Sequence, residues 1–343
     1  MESPVFVENI LDQALQARLR WREGFFITDR HEQAFRLFNG FLEGCPELVV
    51  DIYANTLVLF AYSTDLQQAK VLSERAAAHL LRQLPWVQAV VVKTRNSPVE
   101  NERRGVLVHG VSPDRKVREG EIWYAVDLQL NLDASLYLDT RCLRAWAVAH
   151  LEGKRVLNAF AYTGSLGVAA LAGGARQVVQ LDLNRRFLNL AQASYTLNGF
   201  PIQRQDFISG DFWPQVSRLK RAGELFDCIF IDPPFFSQTN QGRVDLVSHA
   251  QTVINKVRPL VGHNGLLVAI NNSLFLSGAE YMRQLEDLCS SGYLALEELV
   301  PVPPDFTGFP ETCSGQPPQD PAPFTHSTKI AVLRVQRKDG RSA

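Results

Sequence analysis

Apolar residues recur near helical spacing at Ile10, Leu11, Ala14, Leu15 and Leu19, which predicts a helix from Val5 to about Arg22. From Glu47 to Tyr62 the pattern changes to two apolar runs, Leu48-Val49-Val50 and Leu57-Val58-Leu59-Phe60, split by Ala54-Asn55-Thr56; this predicts a hairpin. A helix fits Leu66 to Gln83, and strands fit Val87 to Lys93, Gly105 to His109 and Ile122 to Leu128. Strands packed by one helix make a small α+β unit before residue 130.

Beyond residue 152 short β runs alternate with amphipathic stretches. The runs are Arg155 to Asn158, Gln177 to Leu181, Gln203 to Ile208, Phe226 to Ile231 and Gly265 to Ile270, separated by helical patterns near 164–173, 185–198, 212–222, 245–260 and 277–291. Strictly alternating strands and helices predict a doubly wound, mostly parallel sheet, a Rossmann-like layer structure. Pro301 to Phe324 holds eight prolines with Gly308 and Gly315, so no helix or central strand runs through it. It reads as a long loop, of the kind that serves as a lid or binding element. His326 to Arg334 then resumes as an apolar strand, expected to lie antiparallel at the C-terminal side of the sheet. The organisation expected is an N-terminal helical segment 1–40, a small α+β domain 41–130 and a Rossmann-like α/β domain 131–343 that carries the loop 301–324.

Length and charge narrow the picture. A chain of 343 residues suits about two domains, and a formal charge of −1 excludes a global basic field, so any contact with nucleic acid is local. Arginine far outnumbers lysine, through phosphate contacts or through a GC-rich genome. Five cysteines at scattered positions, with no C-x-x-C pair, point to reduced thiols in a cytoplasm and to no metal site. The opening Met1-Glu2-Ser3-Pro4 is not expected to begin a signal peptide, and no uncharged stretch is long enough to span a membrane.

In open α/β sheets, ligands bind beyond the carboxyl ends of the strands, so the residues following each β run are the candidates. After the first run comes Asn158-Ala-Phe160-Ala-Tyr-Thr163-Gly164, where Gly164 permits a tight turn and Thr163 suits a helix cap. No G-x-G-x-x-G occurs, which argues against a dinucleotide oxidoreductase. The second run ends at Asp182, placed to accept hydrogen bonds from both hydroxyls of a ribose or to cap the next helix. Asp211-Phe212 offers a carboxylate for an adenine amino group beside an aromatic ring to cover it. Asp232-Pro233-Pro234-Phe235 is the strongest signal. Its prolines hold the backbone extended, the Asp232 carboxylate and Pro233 carbonyl both accept, and Phe235 can stack on a flat ring.

These segments together resemble motifs I to IV of the class I S-adenosylmethionine-dependent methyltransferases. More narrowly, they are similar to the bacterial 23S ribosomal RNA large-subunit methyltransferases with an F-x-Y-T-G motif I. The similarity extends to Ser135-Leu-Tyr137-Leu-Asp139-Thr-Arg141, like that group's G-x-F-L-D-x-R, and to Val92-Lys93-Thr94-Arg95, covering about residues 45–275. The resemblance implies S-adenosylmethionine as cofactor, held by Tyr137, Asp139, Arg141, Asn158, Phe160, Thr163, Gly164, Asp182, Asp211, Phe212 and Asp232. It implies a catalytic set of Asp232, Pro233, Phe235, Asn271 and Asn272.

Within that group, cytosine carbon-5 enzymes use a cysteine nucleophile after the fifth strand, where this chain reads Ile270-Asn271-Asn272-Ser273. Cys228 falls inside the fourth strand, as a core thiol. Asn271-Asn272 instead resembles the guanine-N7 enzymes, while Asp232-Pro-Pro-Phe235 resembles the motif of amino-methyltransferases, and both targets stay open. The expected function is methylation of RNA, with 23S ribosomal RNA as the expected substrate, at a base nitrogen with guanine N7 favoured and without covalent catalysis; an exocyclic amine or cytosine carbon 5 is the alternative target. A small-molecule acceptor and a non-catalytic RNA-binding role are the competing readings. Between Lys93 and Arg118, seven basic residues stand against three acidic ones, and Lys93, Arg95, Arg103 and Arg104 are the expected RNA contacts. His326, just after the proline-rich loop, is the one histidine singled out, and a homodimer is left open.

Overall fold

The computed structural model describes residues 4–20, 30–234, 236–239, 242–245 and 250–343. Two compact units divide the chain: residues 1–138 with 303–317, and residues 139–302 with 318–343.

The first unit comprises α1 (Pro4–Arg20), β1 (Ala34–Asn39), α2 (Gly40–Glu43), β2 (Leu48–Tyr53), β3 (Thr56–Ala61), α3 (Leu66–Gln83), β4 (Ala89–Thr94), α4 (Glu100–Arg104), β5 (Val106–His109), β6 (Lys116–Glu119) and β7 (Ile122–Ala125). β1 to β5 form one sheet in chain order, while β6 and β7 form a separate hairpin. The β2–β3 turn closes with Tyr53 opposite Thr56, and Ala54 takes the left-handed conformation that two-residue hairpin turns demand. α3 crosses over between the parallel strands β3 and β4, and its first turn is capped by the Asp65 side chain accepting from the N–H groups of Gln67 and Gln68. Leu11 and Leu15 of α1 and Leu80 of α3 pack on Phe35, Leu37, Val50, Leu57 and Leu59.

The second unit comprises α5 (Arg141–His150), β8 (Arg155–Ala159), α6 (Ser165–Ala172), β9 (Gln177–Asp182), α7 (Arg185–Leu197), β10 (Phe207–Ser209), α8 (Phe212–Arg221), β11 (Phe226–Ile231), β12 (Phe236–Thr239), β13 (Gly242–Asp245), α9 (Ala250–Val257), β14 (Val261–Asn271), α10 (Gly278–Cys289), β15 (Leu294–Val300) and β16 (Lys329–Val335). Its seven-stranded sheet runs β10-β9-β8-β11-β14-β16-β15; the first five strands are parallel and β16 is antiparallel to both neighbours. Alternate strand residues face opposite layers. Leu157, Ile229 and Ile231 meet Val216, Val253, Ile254 and Leu285 of α8 to α10, whereas Val156 and Phe230 meet Leu143, Trp146, Leu166 and Ala169 of α5 and α6. The order reverses between β8 and β11, where a doubly wound sheet opens its ligand crevice.

Several elements differ from the sequence pattern. α1 ends at Arg20, and residues 21 and 22 lie outside the described residues. β1 had no counterpart in the pattern. The segment to residue 40, expected as a separate helical piece, therefore contributes a strand to the first unit's sheet, because Phe35, Leu37 and Phe38 are needed in its core. β6, the β12–β13 hairpin and β15 were also unmarked; of the helix expected over 245–260, the described part is Ala250–Val257 followed by a 3-10 turn, and residues 246–249 lie outside the described residues. The proline-rich stretch, expected as a long loop of the second domain serving as a lid or binding element, is largely part of the first unit. Asp305 accepts from the Arg36 backbone N–H at 2.9 Å, Asn39 donates to the Phe306 carbonyl, and Phe309 enters the core. α11 (Pro304–Thr307) packs on β1. Below it, Arg18 and Glu43 form a fully buried bidentate pair at 2.5 and 2.9 Å, with Thr312 donating to the same carboxylate. All five cysteines are free, and among the described residues no helix is long and apolar enough to cross a membrane.

Candidate active site

Parallel pairing sets Ala159 opposite Leu181 and Ile231, and Ile231 opposite Ala269. The segments that follow, 160–164, 182, 232–234 and 271–273, therefore leave the sheet along one edge. Ser209 pairs with Asp182, bringing Asp211 to that edge as well.

The turn after β8 is strained. Phe160, Tyr162 and Gly164 have φ of 57°, 51° and 79°, alternating left-handed residues of which only the glycine adopts that conformation freely. Three hydrogen bonds hold it: Ala161 N–H to the Leu181 carbonyl at 2.9 Å, Gly164 N–H to the Ala161 carbonyl at 2.7 Å, and Tyr162 N–H to the Asp182 carboxylate at 2.8 Å. A Cβ on Gly164 would stand 2.5 Å from the Ala191 methyl. The glycine itself is the N-cap of α6, with no side-chain cap bond, so Thr163 is buried before the helix rather than capping it. Behind the turn, Asn158 donates to Gln180 at 2.9 Å, and Gln180 donates to the Gly164 carbonyl and the Tyr195 hydroxyl, both at 3.2 Å. The Asn158 side-chain oxygen is buried with no partner among the described residues, an unmet acceptor suited to a cationic or N–H donor.

Asp182 accepts from the N–H groups of Tyr162 and Asn184, and burial raises its pKa against the lowering effect of those bonds. It caps no helix; Asn184 caps α7. Leu183 beside it is 64% exposed, an apolar surface next to the carboxylate. Asp211 caps α8 by accepting from Trp213 N–H, and Phe212 is buried with its ring stacked on Phe160 at 4.5 Å. Unmet acceptor, strained turn and edge carboxylate together fit an adenosyl cofactor with a cationic amino-acid tail.

On the other side of β8, burial and the negative charge of Asp139 push the pKa of Asp232 up to about 7. Asp139 in turn accepts from the Thr328 hydroxyl at 2.7 Å, and Thr328 N–H donates to His326. The Asn272 amide nitrogen stands 3.5 Å from the Pro233 carbonyl, and its side-chain oxygen is buried with no partner among the described residues. Asn271 is fully buried and accepts from Ser273 N–H. Arg141 is buried at the start of α5. Tyr137 belongs to the first unit, where its hydroxyl donates to Asp133. Phe235, like His249, lies outside the described residues. Cys228 is completely buried within β11 and its thiol is pushed far up by burial, so it is no nucleophile. Lys329 carried no sequence signal: it is a buried ammonium opposite Asn271, donating to the carbonyls of Ser273 at 2.9 Å and Ser327 at 2.6 Å.

The expected RNA contacts need correction. Lys93 is fully buried in β4, with its ammonium on the carbonyls of Arg104 and Asn131, and desolvation lowers its pKa to about 7. It is unavailable to phosphate. Arg95, Arg103 and Arg104 each spend one guanidinium nitrogen on a backbone carbonyl, those of Leu132, Ser97 and Leu130. These basic residues clamp the loops around the sheet, which a charge count along the chain does not reveal.

The profile of the S-adenosylmethionine-dependent methyltransferase family matches residues 111–313. The chain belongs to this family, and is thus an enzyme that uses S-adenosylmethionine. It is 28% identical over 277 residues to ribosomal RNA large subunit methyltransferase I of Photobacterium profundum, covering 80% of this chain and 68% of that protein. To the enzyme of the same name from Aeromonas hydrophila it is 33% identical over 208 residues, covering 60% of this chain and 52% of the relative. The fold matches a crystal structure of a methyltransferase complexed with SAH at a TM-score of 0.81, with 20% identity, over 98% of this chain and 82% of the other.

Proposed function

We propose that this chain methylates a base nitrogen of ribosomal RNA, with guanine N7 as the favoured acceptor. The observation that carries the reading is the acceptor side itself: the Asn272 amide nitrogen stands 3.5 Å from the carbonyl of Pro233, the residue after Asp232, and the end of β14 offers asparagines in place of a thiol. The names of the relatives support ribosomal RNA as substrate.

When bound, S-adenosylmethionine supplies an electrophilic methyl group on a sulfonium. Asp182 would hold the ribose hydroxyls, and the unmet Asn158 oxygen would accept from the cationic tail. Guanine N7 already presents a lone pair, so the protein's task is orientation in a pocket that excludes water. Methylation there leaves positive charge on the ring, which an ionised Asp232 stabilises as it develops. Asn272 can meet the guanine edge with both a donor and an acceptor. Phosphate contact would fall to the half-buried Arg95, Arg103 and Arg104, with Lys93 excluded by its burial.

A second reading rests on one feature. The Asp232 carboxylate and the Pro233 carbonyl are two acceptors, matching the two N–H groups of an exocyclic amine.

The test is transfer of labelled methyl to ribosomal RNA from a strain lacking the protein, followed by nucleoside identification. Label in 7-methylguanosine is the expected result, and label in a base amine favours the second reading. Label in 5-methylcytidine overturns the base-nitrogen chemistry, and unlabelled RNA overturns the substrate class.

A further inference from the structure

We propose that Lys329 is a positioning residue of the methyl transfer, clamping the acceptor loop 271–275 in its working geometry. The proposal rests on the assignment of Asn271 and Asn272 to the acceptor side.

Lys329 opens β16 directly opposite Asn271 of β14. Residues opposite each other on paired strands project to the same face, so the lysine stem runs beside Asn271 and its ammonium reaches past it. There it donates to the Ser273 carbonyl at 2.9 Å and to the Ser327 carbonyl at 2.6 Å, tying the segment after β14 to the segment before β16. The loop so gripped is closed by two more bonds, Ser273 N–H to the Asn271 side chain at 3.0 Å and Phe275 N–H to the Ser273 hydroxyl at 3.3 Å. Asn272 lies between the two anchored residues, and its amide faces Pro233.

A buried ammonium is an expensive way to join two segments. Among the described residues Lys329 has no carboxylate partner, and desolvation lowers its pKa to about 8. An apolar side chain would fill the same volume without that cost. What an apolar side chain cannot do is fix carbonyl directions, and the Ser273 carbonyl sets the backbone from which Asn272 projects. Lys329 is itself 1% exposed, so it acts through that loop and does not touch the acceptor.

The test compares wild type with Lys329→Met, close in volume but without donors, and Lys329→Ala with and without propylammonium, which can enter the space left by the side chain. Three quantities are read: SAH affinity by calorimetry, steady-state methylation of ribosomal RNA, and amide hydrogen exchange. Lys329→Met is expected to keep SAH affinity, to lower kcat about tenfold or more with little change in KM, and to speed exchange at Ser273 and Phe275 while amides of β8 and β9 stay protected. Propylammonium is expected to restore part of the kcat of Lys329→Ala. Unchanged exchange at Ser273 and Phe275, or SAH affinity falling in parallel with activity, overturns the clamp. If wild type methylates no ribosomal RNA, the substrate reading fails, while exchange and SAH binding still decide the role of Lys329.

Discussion

The carboxylate of Asp182 holds the backbone of Tyr162: one oxygen accepts the Tyr162 N–H at 2.8 Å while the other accepts that of Asn184 at 2.7 Å. One side chain thus fastens the strained turn and presents its remaining lone pairs at the strand end. Asp182→Ala is expected to weaken SAH binding about 10- to 100-fold, since hydrogen bonds to a charged group contribute roughly 1.5–3 kcal/mol. Calorimetry checks this, and unaltered affinity would remove Asp182 from the cofactor site.

Asp232 ties activity to pH. Its ionised form is the one that faces a developing cation or an amine, so kcat/KM is expected to rise as pH passes through about 7. Asp232→Asn should lower kcat about 100-fold and flatten the profile. Asp139→Asn removes the repelling charge and should move the midpoint to lower pH. A profile whose midpoint ignores both substitutions would refute the assignment.

The same group costs stability. Because its pKa is raised in the folded protein, the folded state retains a proton that the unfolded chain releases near pH 4, and stability from this group is lost as pH rises from there through about 7. Asp232→Asn is therefore expected to raise Tm at pH 8 by more than at pH 5. Equal shifts at the two pH values would contradict it.

Gly164→Ala brings a methyl group within 2.5 Å of Ala191 at a φ of 79°. A loss of roughly 1–3 kcal/mol is expected, with reduced SAH affinity, because overpacking and a disfavoured dihedral act together. Thermal unfolding with and without SAH measures both.

Lys93→Met separates charge from architecture. It removes two bonds from a buried ammonium to backbone carbonyls, so Tm should fall, while the dependence of RNA binding on salt should keep its slope because no phosphate contact is lost. A shallower slope would return Lys93 to the RNA surface.

Glu43→Ala strands Arg18 without its partner in the core. A loss of about 3–5 kcal/mol is expected, as for other broken buried pairs. Limited proteolysis should then cut within residues 303–317, which Thr312 and the neighbouring contacts hold in place.

The legible parts of the fold were those with local signals. β8, β9 and β11 are short, largely apolar runs, and the last two end at or just before a carboxylate, so both the parallel sheet and the positions of Asp182 and Asp232 could be read from spacing. β15 was not legible: Leu-Ala-Leu-Glu-Glu-Leu-Val favours helix locally, and antiparallel pairing with β16 overrides that preference. Lys93 and Lys329 look like surface residues because a lone cation in a strand carries no sign of burial. Their carbonyl partners come from Asn131, 38 residues away, and Ser273, 56 residues away, contacts that only the folded chain brings together. Asn158 and Asn272 were found through family resemblance, and the structure adds that each keeps a buried side-chain oxygen unmet among the described residues.

The chain leaves the first unit at Leu138, returns to it at Pro303 and departs again at Pro317. During synthesis, then, the N-terminal sheet emerges early but lacks Asp305 and Phe309 until the intervening residues 139–302 have been made. The usual order, in which the first domain is finished before the next begins, does not hold here. Any fragment cut at residue 138 would omit part of its own interior, and a gene fusion that grafted this unit onto another enzyme would have to carry two separate stretches of coding sequence.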